Sequence, residues 1–399
     1  MTITTFIVVL LIASLVAIAS RRLTLPYSVG LVIAGIAIAV FPTGVEIPLT
    51  RDLIFDILLP PLVFEAALQL QWKPFRRDLP VTTALAFPGV AVATVVVAVG
   101  MHALLGWSWI AALLFGVLIA ATDPVAVIAT FKELKVEERT SYLVESESLL
   151  NDGAAAVGFT ALVALAGSDA QSATATAIAA SLVWSIGGGI LAGLSVAAVL
   201  LIIAGRTKDH LVEITFTTII AYGSFVLAER FHASGVLAAL TAGLTVGNFG
   251  WKRAISERNQ GHVLAFWEYA AFLANSVIFI LIGEQEAHEG HRLLTTTALC
   301  AVALTLLGRA AAVYPIAALF SRSRIAVSFR QQHVLVWGGL RGALALALVL
   351  AIPASVPERP EITAAAFAVV AFSVFVQALS MPRVVRYLGL TRNQFDQNA

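Results

Sequence analysis

Several acidic, amide and hydroxyl side chains lie inside segments that are otherwise apolar. Glu147, Ser148, Asn151 and Asp152 fall within six consecutive residues of one such segment. At about 100° per residue on a helix, Glu147 and Asn151 share nearly one face, whereas Glu147 and Asp152 are about 140° apart. The two carboxylates therefore meet different neighbours. One of them is suited to a structural ion pair and the other to an ion path.

The segment Ala121-Thr122-Asp123-Pro124 interrupts a second apolar run. Pro124 has no N–H and disfavours helix at the residue before it, so we expect the helix to open near Thr122 and Asp123. Opened backbone is tolerated at membrane depth only where it lines a cavity or is buried in protein. Its carbonyls and the Thr122 hydroxyl are hard-oxygen ligands that suit a small cation. A proline kink with Asp123 capping a half-helix is the alternative, and the two are compatible.

A third apolar run contains an arginine among glycines, Gly338-Gly339-Leu340-Arg341-Gly342. Glycine weakens a helix and lets two backbones approach closely. Arg341 can compensate buried carboxylates or exposed carbonyl ends, and Arg309, in the preceding apolar run, is a second intramembrane cation.

The charges of these segments do not balance. Two arginines, Arg309 and Arg341, stand against three carboxylates, those of Asp123, Glu147 and Asp152. If all five lie in one core, one carboxylate has no fixed partner. A buried carboxylate without a partner either holds a proton or binds a cation. Competition between those two ligands is the chemistry of proton–cation exchange.

The elements that must position these residues are membrane helices. The 399 residues are 59% hydrophobic and 12% charged, whereas soluble proteins average roughly 45–50% apolar and about 25% charged residues. A soluble domain of this composition could not cover its own surface. The formal net charge of +1 provides no basic field for nucleic acid. We therefore predict an all-α polytopic protein in a lipid bilayer, with no nucleic-acid partner.

Thirteen runs approach the roughly 20 apolar residues that a membrane helix needs. They cover residues 3–20, 27–42, 52–70, 79–101, 109–130, 142–167, 177–204, 211–229, 232–249, 263–283, 293–320, 330–352 and 362–387. Loops after odd-numbered runs carry 19 Lys and Arg residues, and loops after even-numbered runs carry 4. Because basic residues concentrate in cytoplasmic loops, we predict a cell-membrane protein (inner or plasma membrane) with an outer N-terminus and a cytoplasmic C-terminus.

Thirteen helices also permit two six-helix repeats around a linker helix. Equivalent helices are then seven apart, so the halves run in opposite directions, the inverted-repeat design of many secondary transporters. The fifth and twelfth helices are partners in this scheme, and both carry helix-breaking residues. We predict one membrane domain over 1–399, with a first repeat at 1–167, a linker helix at 177–204, a second repeat at 211–387 and a short cytoplasmic tail at 388–399.

Four motifs resemble those of monovalent cation/proton antiporters, the family of bacterial and archaeal sodium/proton antiporters and animal sodium/proton exchangers. They are Leu58–Ala66, Thr122–Val127, Glu147–Gly153 and Gly338–Ala343. They occur in family order and extend from the third predicted helix to the twelfth. The resemblance implies a core domain with two broken, crossing helices, a separate dimerisation domain and a homodimer.

The resemblance also implies roles for individual residues. Asp152 would bind both the cation and the proton, with Thr122 and Ser148 as further Na+ ligands. The ion- and proton-binding set also includes Asn151 and Asp123. Asp123 and Arg341 would compensate the facing half-helix ends, and Glu147 would pair with Arg309. The Asn151-Asp152 pair is similar to the electroneutral branch of the family, which exchanges one cation for one proton.

The implied function is secondary transport rather than enzyme catalysis. We expect exchange of Na+ for H+ without a cofactor; the sequence leaves K+ and Li+ open, since selectivity depends on cavity size and on how many oxygens converge. A cation channel is the alternative class, but it requires a continuous pore. A predicted outer loop with His288 and His291 beside Glu284, Glu286 and Glu289 could hold a metal ion or be merely solvated.

Overall fold

In the computed structural model the chain is built almost wholly of helices. The structure describes residues 3–23, 25–40, 50–167, 174–205, 209–250, 255, 257–289, 295–356 and 358–391. Within these residues the only β-type pairing is an isolated antiparallel bridge between Val136 and Thr391. The predicted all-α class is therefore confirmed.

We number the α-helices of the described residues α1 to α16. They are Ile3–Leu23 (α1), Tyr27–Val40 (α2), Leu59–Gln69 (α3), Trp72–Leu105 (α4), Trp109–Ala120 (α5), Val125–Leu134 (α6), Glu138–Ala166 (α7), Ala175–Ala204 (α8), His210–Arg230 (α9), Gly235–Thr245 (α10), Glu257–Glu289 (α11), Thr296–Leu319 (α12), Phe329–Trp337 (α13), Ala343–Leu350 (α14), Arg359–Phe372 (α15) and Leu379–Tyr387 (α16). Three π-helical stretches adjoin them: Leu53–Leu58 precedes α3, Val246–Gly250 follows α10, and Ser373–Ala378 links α15 to α16.

The predicted apolar runs coincide with these elements. Each run falls on one helix or on two or three consecutive helical segments. In the part of the chain that the structure describes, eight helices are long and apolar enough to cross a membrane, and three shorter apolar helices accompany them. The count of thirteen crossings remains a prediction.

Short polar side chains fix the start of several helices by accepting a hydrogen bond from a first-turn amide. The capping residues are Ser108, Thr174, Asp209, Ser234, Thr295 and Ser328. At α5, the amide and hydroxyl of Ser108 also donate to the Glu358 carboxylate, over 2.9 and 3.0 Å. These bonds, the backbone one foremost, hold the pKa of Glu358 below its ordinary range and tie α5 to the start of α15.

The site described below is carried by a bundle in which α4 packs against α5, α7 and α12. A buried ion pair closes one end of this bundle. Asp78 of α4 is 3% exposed and accepts from Arg139 of α7 over 3.1 Å. Arg139 also donates to the carbonyls of Ile325 and Ala326, between α12 and α13, over 2.9 and 3.0 Å. The ends of α4 and α7 and the loop between α12 and α13 are thereby held together.

Beside this bundle, α2 lies along α11 with the two backbones in contact. A Cβ atom on Gly35 would overlap the carbonyl oxygen of Ile280, and one on Gly283 would overlap that of Val32. Only glycine permits this separation of the two helices, because any side chain at these positions would force the backbones apart.

We expect Gly283→Ala to destabilise the folded protein by about 1–3 kcal/mol, the usual cost of overpacking. The measurement is thermal unfolding of the detergent-purified protein. Gly261→Ala is the matched control, since Gly261 lies on the same helix and a Cβ there would meet nothing within 4 Å. Equal melting temperatures for the two variants would contradict the close approach.

Two helices of the bundle are interrupted. The chain leaves helical geometry between Ala120 and Val125, where Pro124 predicts a break, and again between Trp337 and Ala343. The two opened segments cross, and the amide of Asp123 donates to the carbonyl of Leu340 over 2.8 Å. The crossing therefore brings four half-helix ends together.

One predicted loop is helical. α11 runs to Glu289, so Glu284 and Glu286 lie on a helix rather than in the expected outer loop. The reason is that no helix-breaking residue occurs between Gly283 and Gly290. His291 and the side chain of His288 lie outside what the structure describes, as do residues 392–399 of the predicted tail.

Candidate functional site

Asp123 lies where two half-helices begin. Its Oδ1 atom accepts from the amide of Val125, the first residue of α6, over 3.0 Å. The backbone of Ala343, the first residue of α14, also hydrogen-bonds to the carboxylate. Helix N-termini carry partial positive charge, so one carboxylate compensates both of them. Gly342 makes this possible, since a Cβ there would overlap the Asp123 carboxylate.

The opened backbone at Thr122 is held by side chains of α7. The amide of Thr122 donates to Asn151 Oδ1 over 3.1 Å, and Asn151 Nδ2 donates to Thr122 Oγ1 over 2.6 Å. The Ser148 hydroxyl donates to the carbonyl of Thr122, and the Thr122 hydroxyl lies 3.2 Å from Ser148 Oγ. All three residues are at most 4% exposed. The break is thus fixed by specific hydrogen bonds.

Glu147 and Arg309 form a buried bidentate ion pair. Arg309 Nη1 and Nη2 each donate to one carboxylate oxygen of Glu147 over 2.7 Å. Arg309 Nε donates to the carbonyl of Leu335 in α13 over 3.1 Å, and Asn151 Nδ2 donates to Glu147 Oε1 over 3.0 Å. Each of these two charges is therefore neutralised by the other.

Asp152 lines a cavity and, unlike Asp123, has a buried oxygen atom without a hydrogen-bond partner in the described part of the chain. The cavity is lined by Asp152, by Thr122 and Asp123 of the crossing, and by residues of α3, α11 and α14. Asp152 is partly exposed to this space. Its Oδ1 atom is nevertheless buried and has no hydrogen-bond partner among the described residues. It is the carboxylate of the site that remains available to a ligand.

Arg341 completes the charges around the crossing. It is 3% exposed, and within the described ranges neither Nε nor Nη1 has a hydrogen-bond partner. Its charge acts on Glu147 and Asp152 without forming a close ion pair with either. Gly339 packs against both arginines, since a Cβ there would lie 2.9 Å from Arg309 Nε and 3.4 Å from Arg341 Nη1.

Sequence reasoning missed Gln377. Its Nε2 atom donates to the carbonyl of Trp337, the last residue of α13, over 2.9 Å, and its Oε1 atom accepts from Ser373 over 3.0 Å. Gln377 is 3% exposed. It therefore satisfies a carbonyl that the interruption leaves free. The signal available in the sequence was an amide inside an otherwise apolar run.

The structure brings the candidate residues together around one crossing. They are Thr122, Asp123, Glu147, Ser148, Asn151, Asp152, Arg309 and Arg341, from α7, α12 and the two opened segments. The described residues contain no cluster of three or more His, Cys, Asp or Glu side chains that could hold a metal ion.

The chain matches a known protein family over most of its length. A profile of the family described as sodium/hydrogen exchanger, transmembrane, matches residues 7–387. The chain is 37% identical over 390 residues to the Na+/H+ antiporter ApNhaP of Aphanothece halophytica, covering 95% of this chain and 73% of that protein. It is 31% identical over 401 residues to the Na+/H+ antiporter NhaH of Halobacillus aidingensis, covering 96% and 97%.

The fold is also similar to a solved structure. The sodium proton antiporter MjNhaP1 from Methanocaldococcus jannaschii, determined at pH 8, superposes with a TM-score of 0.79 at 20% sequence identity. The match covers 97% of this chain and 98% of that one. The architecture is therefore shared over nearly the whole length.

Proposed function

The chain belongs to the sodium/hydrogen exchanger family, and we propose that it exchanges Na+ for H+ across a membrane by presenting Asp152 alternately to the two sides. The family is one of transporters and not of enzymes. The membrane we infer is the cell membrane, with the N-terminus outside and the C-terminus in the cytoplasm, as the basic loops favour.

One observation carries this proposal. Within the described residues the carboxylate of Asp152 lines a cavity and its buried Oδ1 atom has no partner, whereas Glu147 is paired with Arg309 and Asp123 compensates two helix N-termini. A buried carboxylate without a partner is costly as a free anion. It therefore takes up either a proton or a cation, and one site serves both ions in turn.

The neighbouring oxygens suit a sodium ion. We infer that the hydroxyls of Thr122 and Ser148, together with the opened backbone, join Asp152 as Na+ ligands, because Na+ is a hard cation that prefers oxygen. The Thr122 hydroxyl donates to Ser148 Oγ over 3.2 Å, so the two candidate ligands lie side by side. The side-chain amide of Asn151 forms hydrogen bonds with Thr122 and Glu147. We assign it to positioning the ligands.

The same carboxylate enforces exchange rather than leak. Neutralised by Na+ or by a proton, Asp152 crosses the barrier at low cost; empty and charged, it would have to be desolvated without compensation. One negative site with one positive ion in either direction moves no net charge per cycle. A membrane potential, worth about 2.3 kcal/mol per charge per 100 mV, then gives no drive. We infer electroneutral 1:1 exchange.

The movement we infer is that of a core domain against a dimeric scaffold. The inverted repeats at 1–167 and 211–387, joined by the helix at 177–204, would supply the symmetry that alternating access uses. Two interrupted helices that cross, one in each proposed repeat, support this arrangement. We propose that the protein works as a homodimer.

The test is cation-driven proton movement in proteoliposomes that carry purified protein and an internal pH dye. Na+, Li+ and K+ are added in turn, with and without a clamped membrane potential. We expect a pH change with Na+ that the clamp does not alter. A response to K+ alone would keep the exchange and change the substrate, which the names of the relatives do not favour. A clamp-dependent response would contradict electroneutrality, and flux that neither saturates nor requires a counter-ion would favour a channel.

Gly342→Ala is expected to lower Na+/H+ exchange strongly. The added methyl group must displace the Asp123 carboxylate from the N-termini of α6 and α14, and 1 Å misplacement at such a site can cost about a hundredfold in rate. Initial rates in the proteoliposome assay measure the effect. Gly187→Ala is the control, since a Cβ there meets nothing within 4 Å. Equal rates for both variants would show that the contact at Gly342 is unimportant.

A further inference from the structure

The cavity beside Asp152 has two unlike walls. One wall is the helix crossing, which contributes Thr122, Asp123 and Asp152. The other wall is formed by α3 and α11 and is mainly apolar. Its polar side chains are Glu65 of α3 and Asn275 of α11. A cation seated at Asp152 would therefore face few polar groups across the cavity.

These two polar side chains differ in how far they are already occupied. The carboxylate of Glu65 accepts a hydrogen bond from Gln69 on the next turn of α3. Over the described ranges, the amide of Asn275 forms no hydrogen bond and its side chain is partly exposed to the cavity. A polar side chain that the protein does not satisfy is available to water or to a ligand.

The next residue of α11, Ser276, faces a different neighbour from Asn275. Ser276 is 1% exposed, and its hydroxyl donates to the carbonyl of Phe272 over 2.5 Å and lies 2.8 Å from the hydroxyl of Tyr27. The Tyr27 ring stacks on Phe272 with centroids 5.4 Å apart. Since consecutive residues on a helix are turned by about 100°, Ser276 facing α2 leaves Asn275 facing the cavity.

The helix itself is anchored against sliding. The glycine contacts between α2 and α11 hold the two backbones together less than two helical turns beyond Ser276, at Gly283. Asn275 is thus presented from a fixed element, while Asp152 belongs to the bundle of interrupted helices.

We propose that Asn275 is a specificity-determining residue whose amide oxygen contacts the cation, or a water molecule that the cation holds, when the cation is bound at Asp152. This inference rests on the proposed exchange at Asp152. An amide oxygen adds an ion–dipole contact without adding charge. It favours the cation-bound carboxylate and leaves the protonated carboxylate almost unaffected. Its removal therefore weakens Na+ binding selectively.

The test compares Asn275→Leu, Asn275→Ala and Asn275→Gln with the unaltered protein in proteoliposomes. We expect Asn275→Leu and Asn275→Ala to raise the KM for Na+ about tenfold, because the cation loses a charge-assisted contact, while the maximal rate stays within about twofold of the unaltered protein. Asn275→Gln retains an amide oxygen without adding charge and should keep the KM within about threefold. Sodium-dependent thermal stabilisation of the detergent-purified variants gives the same ordering without transport.

Ser276→Ala is the matched control, since it removes a hydrogen bond on the face of α11 turned away from the cavity. We expect a lower melting temperature and an unchanged KM. An unchanged KM in Asn275→Leu or Asn275→Ala would overturn the inference, as would a KM in Asn275→Gln as high as in Asn275→Leu. Absence of exchange in the unaltered protein would instead refute the proposed function, so the two failures are distinguishable.

Discussion

Asp152→Asn is expected to reduce sodium-driven proton movement to the leak of empty liposomes while the protein still folds. Asparagine has nearly the same shape as aspartate, but it neither releases a proton nor carries a charge that binds Na+. Proton transfer and Na+ binding at this position are therefore both lost. Because asparagine keeps the size of the side chain and removes the charge of a buried group, the free energy of unfolding in the absence of sodium should not fall. The measurements are initial exchange rates and thermal unfolding with and without Na+.

Asp56→Asn provides the matched control, since Asp56 is an exposed aspartate on the π-helical stretch before α3. Its exchange rate and its stabilisation by Na+ should equal those of the unaltered protein. Asp152→Asn should show no stabilisation by Na+ at all. Exchange at the original rate in Asp152→Asn would refute the assignment of the binding carboxylate.

Arg309→Ala is expected to act on folding more than on ion binding. The substitution leaves the Glu147 carboxylate, which is 1% exposed, without its bidentate partner, and breaking a buried pair in this way typically costs about 3–5 kcal/mol. The carbonyl of Leu335 also loses its donor. We expect much less folded protein, measured as the monodisperse fraction on size-exclusion chromatography and as the melting temperature of that fraction.

A double variant separates the ion pair from the individual side chains. With Glu147→Gln and Arg309→Gln combined, no buried charge lacks its partner, so the double variant should be more stable than either single variant. Arg309→Lys should be intermediate, since a single ammonium group cannot reach both Glu147 oxygens and the carbonyl of Leu335 together. Additive losses in the double variant would contradict the pair as the source of the effect.

These two predictions assign different roles to two carboxylates on α7. Glu147 faces Arg309 and stabilises the bundle, while Asp152 faces the cavity. The angle of about 140° between them follows from helical geometry alone. Helical geometry does not determine which of the two faces meets an arginine, because Arg309 lies 162 residues away along the chain.

The amino-acid sequence by itself determined the local features of this protein. The apolar runs fix the helices, because only helices satisfy the backbone inside a bilayer. Pro124 fixes one interruption, because it lacks a donor and restricts the residue before it. The excess of buried carboxylates over arginines indicates competition between a proton and a cation. Each of these inferences depends on residues within a few helical turns of one another or on the numbers of carboxylates and arginines.

Only the tertiary structure decided how distant residues combine. The Asp123 amide pairs with Leu340, Gln377 satisfies the carbonyl of Trp337, and Asn275 turns toward the cavity that Asp152 lines. Local propensity contains no information about such pairings, since each depends on how helices from remote parts of the chain pack and rotate against one another. The sequence thus identifies which groups cannot remain unpaired in an apolar interior, and packing decides which of them finds a partner and which stays open to an ion.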